Sequence, residues 1–181
     1  LPGDTGPGHG SRRLYEHLVR RLPATPASVL AFHYCLPDAD WHNRVLFAIQ
    51  AMHPLPRLAA DAGFMYAAKM SGQAQSYDLF TPDVGELSFL ADETAPHPFY
   101  TRGFILHQDN NVPDLIARAH EHRNGARHLL VKGSVDYMVA DGEITGQVSK
   151  PAAEAMEAMG GPGDTLTGIV SALIVAGLGI R

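Results

Sequence analysis

Four short apolar runs recur along the chain, "SVLAFHYCL" (Ser28 to Leu36), "RLAADAG" (Arg57 to Gly63), "YDLFTPD" (Tyr77 to Asp83) and "RHLLVKG" (Arg127 to Gly133). Between and before them lie segments with the 3.6-residue period of amphipathic helices, Arg12 to Arg21, Trp41 to Met52, Phe64 to Ser71 and Pro113 to Arg123. Strands that each feed a helix before the next strand can bury both element types only in layers, which predicts an α/β fold. The expectation is a three-layer, Rossmann-like arrangement, a mainly parallel sheet with helices on both faces. Past Gly133 the rhythm changes. The run "VDYMVADGEITGQV" holds two alternating stretches around "DGE", a hairpin with its tight turn at Asp141 and Gly142, and so an antiparallel edge on the sheet. The segment Asp92 to Phe104 has two prolines and several aromatics without either period, and reads as an ordered excursion. No repeat, low-complexity tract or linker interrupts residues 1 to 181, which read as a single domain.

Composition limits the function classes. A chain of 181 residues that is 45% hydrophobic and 18% charged can build one globular core and is too polar for a membrane protein. A formal charge of -5, without any basic cluster, argues against a nucleic-acid surface. The single cysteine, Cys35, lies in an apolar run and reads as a buried small hydrophobe in a reducing compartment. The opening "LPGDTGPGHG" lacks the basic start and apolar core of a signal peptide. "GIVSALIVAGLGI" is too short to span a bilayer and is broken by glycine. A cytoplasmic protein is expected. The last helix ends at "GLGIR" with its apolar side uncovered, so the expectation is a chain incomplete at its ends or completed by a neighbouring copy in a homo-oligomer.

The chemistry concentrates in "MEAMGGPGDTLTGIVSALIVAG", Met156 to Gly177, where glycines, a proline and one acid precede an apolar helix. The first amides of a helix lack intrahelical partners and, with the macrodipole, favour an anion such as phosphate. Asp164 there is either a plain N-cap or a base held beside a phosphate. Asp61, at a strand end, either caps the next helix or contacts a substrate. A second glycine-rich stretch, "GDTGPGHGSRR", is a candidate phosphate loop through Gly8, Gly10, Ser11 and Arg12, or else a flexible terminus. The ten histidines form no H-E-x-x-H pattern, "HEH" at His120 to His122 divides its imidazoles between helix faces, and the histidines are expected at the surface. No direct metal ligand set is expected, since Cys35 has no second thiol, and no serine shows nucleophile-elbow spacing.

"GGPGDTLTGIVSALIVAG" resembles the glycine-glycine-small-glycine-Asp signature of the ribokinase-like superfamily, in particular the YjeF-related branch of ADP- or ATP-dependent NAD(P)H-hydrate dehydratases. "LFTPDVGELSFL" is similar to that branch's threonine-proline strand end with its glycine-Glu, "HLLVKGSVDYMVADGEI" to its Lys-Gly strand end and hairpin, and "AADAG" to its Asp-Ala strand end. The resemblance covers Arg57 to Gly177. It implies a ribokinase-like domain in which Asp164 is the base and Gly161, Gly163 and Asp164 line an anion hole for the transferred phosphoryl group. It places Lys132, Gly133 and Gly160 near the nucleotide, ATP or ADP. Asp83 and Glu86 are similar to the Asn-x-x-Glu element through which such kinases organise Mg²⁺ by way of water; otherwise Glu86 is a solvated carboxylate in a first helical turn. Asp61 would lie beside the acceptor. The implied substrate is hydrated NADH or NADPH, the alternatives being a small-molecule kinase acting on a sugar or vitamin precursor and a nucleotide-binding module without catalysis. Two positions depart from the pattern. Pro162 removes a backbone donor from the loop, and Asp83 and Val84 replace the branch's His-Pro pair. The family's opening strand is expected to lie outside this chain.

Overall fold

The computed structural model describes residues 9–98, 111–151, 153, 155 and 159–179. It is an α/β protein built on one six-stranded sheet: β1 (Val29–Phe32), β2 (Arg57–Ala60), β3 (Leu79–Phe80), β4 (His128–Val131), β5 (Asp136–Ala140) and β6 (Glu143–Val148), laid side by side in chain order. The first four run parallel, with Val29 beside Arg57, Ala59 beside Leu79 and Leu79 beside His128. The last two are antiparallel, as the hairpin pattern predicts. Asp141 and Gly142 both take positive φ, 50° and 86°, the backbone a tight two-residue hairpin turn requires.

Six α-helices stand among the described residues: α1 (His9–Arg21), α2 (Ala39–Gln50), α3 (Ala62–Met70), α4 (Val84–Ala91), α5 (Val112–Glu121) and α6 (Pro162–Val175). Their starts are chemically marked. Asp38 accepts a hydrogen bond from the Trp41 amide at 3.0 Å, and Asp83 and Glu86 form a reciprocal capping box on α4. No helix among the described residues is long and apolar enough to cross a membrane.

Strands in chain order, joined by right-handed crossovers, carry every connecting helix to the same face of the sheet. The core follows this rule. Phe32, Leu58, Ala60, Phe80, Leu129 and Val131 meet Phe64, Leu87 and Ile116 in one large cluster, whereas the alternate strand residues Ala59 and Leu79 meet Ile174 of α6 in a small one. Helices therefore cover both faces, but unequally. Among the described residues α6 alone covers the second face, leaving Ala31 open and its own Ile169, Leu173 and Val175 exposed.

Three expectations need correction. The strands are shorter than the apolar runs, because after Phe32, Ala60, Phe80 and Val131 the chains peel away toward the helices, keeping single ladder bonds such as Asp61 N–H to Phe32 O at 3.0 Å and Lys132 N–H to Pro82 O at 2.8 Å. α4 is anticipated only as the helical turn that carries Glu86, because its residues are buried nearly all round and show no polar face to set a period. The histidines are not all superficial: His42 is fully buried, bonded through Nε2 to the Tyr77 hydroxyl at 2.8 Å and through Nδ1 to Ser71 Oγ at 2.9 Å. Cys35 is buried in the main core, as expected. Residues 99–104 of the excursion lie outside the described residues, as does Gly8.

Candidate functional site

The carboxyl ends of the four parallel strands form one rim, the edge at which open α/β sheets bind ligands. Each strand releases a polar residue there: His33 after β1, Asp61 after β2, Thr81 after β3 and Lys132 after β4. The start of α6 closes over the same rim. Its N-cap is Gly161, held at φ 107°, where a side chain would be strained, and Pro162 follows in the first helical position. That position needs no amide, because the first N–H of a helix has no intrahelical acceptor, so Pro162 is compatible with the turn. Among the described residues the amides of Gly163 and Asp164 have no acceptor, while the Thr165 amide bonds back to Gly161 O at 3.0 Å. Gly161, Gly163 and Asp164, the expected anion-hole residues, thus all stand at the helix start.

Asp164 does not cap α6. It lies in the first turn, and the cap Gly161 has no side chain to bond with. Its carboxylate instead lies 3.1 Å from His33 Nε2, about half exposed at the rim. His33 Nε2 is also 3.4 Å from Asp61 Oδ2. Neither approach has hydrogen-bond alignment, and neither ring nitrogen, both shielded from solvent, has a hydrogen-bond partner among the described residues.

Asp61 is the buried centre of the cluster, only 2% exposed. It caps α3 through the Ala62 amide at 3.0 Å, so the capping expectation holds. It also accepts from Lys132 Nζ at 3.2 and 3.3 Å and from Thr167 Oγ1 at 3.2 Å. Because Thr167 spends its proton on Asp61, Thr81 Oγ1, 2.9 Å away, donates to Thr167. A carboxylate this deep is tolerable only with such partners. Lys132 reaches α6 as well: a Cβ at Gly163 would stand 3.2 Å from its ammonium nitrogen, so glycine there lets a cation approach the positive end of a helix.

The remaining expected residues divide. Asp83 and Glu86 satisfy one another, Glu86 N–H to Asp83 Oδ1 at 2.7 Å and Asp83 N–H to Glu86 Oε2 at 2.8 Å, and the Tyr66 hydroxyl donates to Glu86 Oε1 at 3.2 Å. Glu86 is half-buried rather than solvated; burial, then the charges of Asp83 and Asp61, push its carboxyl up to about 7. Burial, reinforced by Glu86, pushes the Tyr66 hydroxyl up as well. Among the described residues no three His, Cys, Asp or Glu side chains converge to hold a metal ion. Gly133 spends its amide on Asp136 Oδ1 at 3.0 Å, closing the turn into β5, and Gly160 stands open with nothing near it. Gly10, Ser11 and Arg12 form the first turn of α1 rather than a loop, and no hydrogen bond or ion pair links Ser11 or Arg12 to the cluster among the described residues. A depression of about 470 Å³, lined by Pro23, Pro26, Met52 and Pro54, opens at the other end of β1 and β2, remote from this chemistry.

His33, Thr81 and Thr167 belong to the site, although their residue types alone do not announce it. Two signals point to them. His33 and Thr81 occupy the same strand-end position as Asp61 and Lys132, and Thr167 follows Asp164 by three residues, on one face of its helix.

A mixed sheet with an acid-lysine-hydroxyl cluster at its carboxyl rim, facing a glycine-led helix start, defines an α/β protein with a polar rim site. The chain belongs to the same family as the uncharacterized protein MJ1337 of Methanocaldococcus jannaschii, with which it shares 42% identity over 173 residues, 95% of this chain and 70% of that protein. No family model and no solved structure matches the chain.

Proposed function

We propose that the protein is a ribokinase-like enzyme that dehydrates hydrated NADH or NADPH at the expense of ATP or ADP. The observation that carries this reading is the position of Asp164, an uncapping carboxylate in the first turn of α6, with free Gly163 and Asp164 amides beside it and the Lys132 ammonium packed against Gly163. This donor set fits a phosphoryl anion. It does not fit a directly ligated metal, so Mg²⁺ would arrive with the nucleotide, and Asp83 and Glu86 would act only through water. When bound, the nucleotide supplies the phosphoryl group that turns the substrate hydroxyl into a leaving group.

With both ligands bound, Asp164 would take the hydroxyl proton as the oxygen displaces ADP or AMP from phosphorus, the amides of Gly163 and Asp164 would hold the transferred group, and its loss as inorganic phosphate together with a ring proton would restore the reduced nicotinamide. Lys132, kept in place by buried Asp61, offsets the negative charge. The exposed apolar face of α6 supports assembly with a second copy.

The test is turnover of hydrated NADH with ATP or ADP and Mg²⁺. Asp164→Asn should lower it at least about 100-fold, the usual scale for losing a positioned base. Phosphoryl transfer to a sugar with hydrated NADH untouched would move the protein to the small-molecule kinases. Nucleotide binding with neither reaction would make it a binding module.

A further inference from the structure

Tyr34 stands at the rim in an arrangement that folding alone does not favour. Its backbone takes φ 44°, a left-handed conformation that a bulky residue adopts only when its surroundings enforce it, and its side chain is nonetheless 67% exposed. The ring lies parallel to the His33 imidazole, centroids 4.9 Å apart and planes within 5°. His33 is in turn fixed beside Asp61 and Asp164. The strained residue therefore presents an aromatic face to solvent, backed by a second ring, next to the acid of the site. The surrounding charge is negative: Asp164 first, then burial, then Asp61 and Glu86, raise the Tyr34 hydroxyl, against Lys132.

We propose that Tyr34 is a substrate-recognition residue, a stacking platform for an uncharged nitrogen heterocycle carried by a phosphorylated ligand. The carboxylates exclude an anionic ring and favour a neutral or cationic one, and the Lys132 side of the rim takes the phosphate. This inference rests on the proposed phosphoryl chemistry and specifies which part of a ligand the rim reads. A reduced nicotinamide and an adenine ring, both uncharged at neutral pH, meet the requirement.

Calorimetric titration with AMP, reduced nicotinamide mononucleotide and ribose 5-phosphate tests it. The wild type should bind at least one ring-bearing compound more tightly than ribose 5-phosphate. Tyr34→Phe should keep that preference. Tyr34→Asn, which suits the left-handed backbone but has no ring, should weaken the ring-bearing ligand about 5- to 150-fold, the range expected for one stacked base, and leave ribose 5-phosphate unchanged. Its melting temperature should equal or exceed that of the wild type, since the strain is relieved, whereas a ring kept for packing would lower it. The compound affected identifies the ring. Absence of ring preference in the wild type, absence of binding, or equal binding by Tyr34→Asn overturns the inference. Loss of hydrated-NADH turnover with the ring preference intact would overturn the proposed reaction instead.

Discussion

His42 and Glu86 are titratable side chains that burial drives in opposite senses. Burial holds His42 down at about 4, against its ordinary 6.5, because a charged imidazole has no water to face. Between those values the unfolded chain binds more protons than the folded one, so stability falls as pH drops from 6.5 toward 4, by about 3 kcal/mol in all. Glu86, raised to about 7 from 4.5, makes the folded chain the better proton acceptor, so its effect is a loss of stability as pH rises across nearly the same window. The two slopes oppose one another in the wild type. Urea midpoints between pH 4.5 and 7 should therefore diverge when either is removed: His42→Gln should lose stability as pH rises, and Glu86→Gln should gain it. Parallel slopes in the two variants would refute both assignments. His42 was legible in principle, since it shares with Val45, Leu46 and Ile49 the buried stripe of α2. Residue type pointed outward, and the stripe pointed inward.

At the level of elements, the approach of α3 to the end of β1 fixes the geometry of the rim. Gly63 is the contact. An added Cβ would stand 2.1 Å from the Cys35 carbonyl oxygen, a backbone atom that cannot swing aside. Gly63→Ala should separate the two chains, displace Asp61 at the cap of α3, and lower stability by about 1 to 3 kcal/mol, the usual cost of overpacking. Gly160→Ala is the matched control, because nothing lies within 4 Å of its added Cβ; equal unfolding midpoints for the two variants would contradict the close packing. The alternation of apolar runs and amphipathic segments was enough to find the parallel strands, the hairpin and most helices, because those elements present one face to the core and one to water. The period fails for α4, sealed on nearly every side, and at strand ends, where apolar residues such as Leu36 continue past the last paired one. The site was legible where glycine and acid mark a helix start, at Gly161 and Asp164. For His33 and Thr81 the strand-end signal is blurred, because the apolar runs continue past them and their meeting depends on which strands become neighbours.

For the whole molecule, the order of the sheet makes its two sides unequal. Five helices share the large core, and α6 rests on the other face through few buried side chains, chiefly Thr167 and Ile174. Local opening follows the amount of buried contact. Amide exchange should therefore be faster in residues 166–175 than in α3 or in residues 87–91 of α4, and, under the proposed phosphoryl chemistry, it should slow when a phosphorylated ligand occupies the rim between α6 and Lys132. Equal protection throughout would show a single cooperative unit. The helix that carries Asp164 and Thr167 is thus fastened to the scaffold that carries Asp61, Lys132 and His33 by a small clasp. Loosening that clasp would part the two halves of the rim while most of the architecture stood, so under the proposed reaction inactivation should precede global melting in dilute urea.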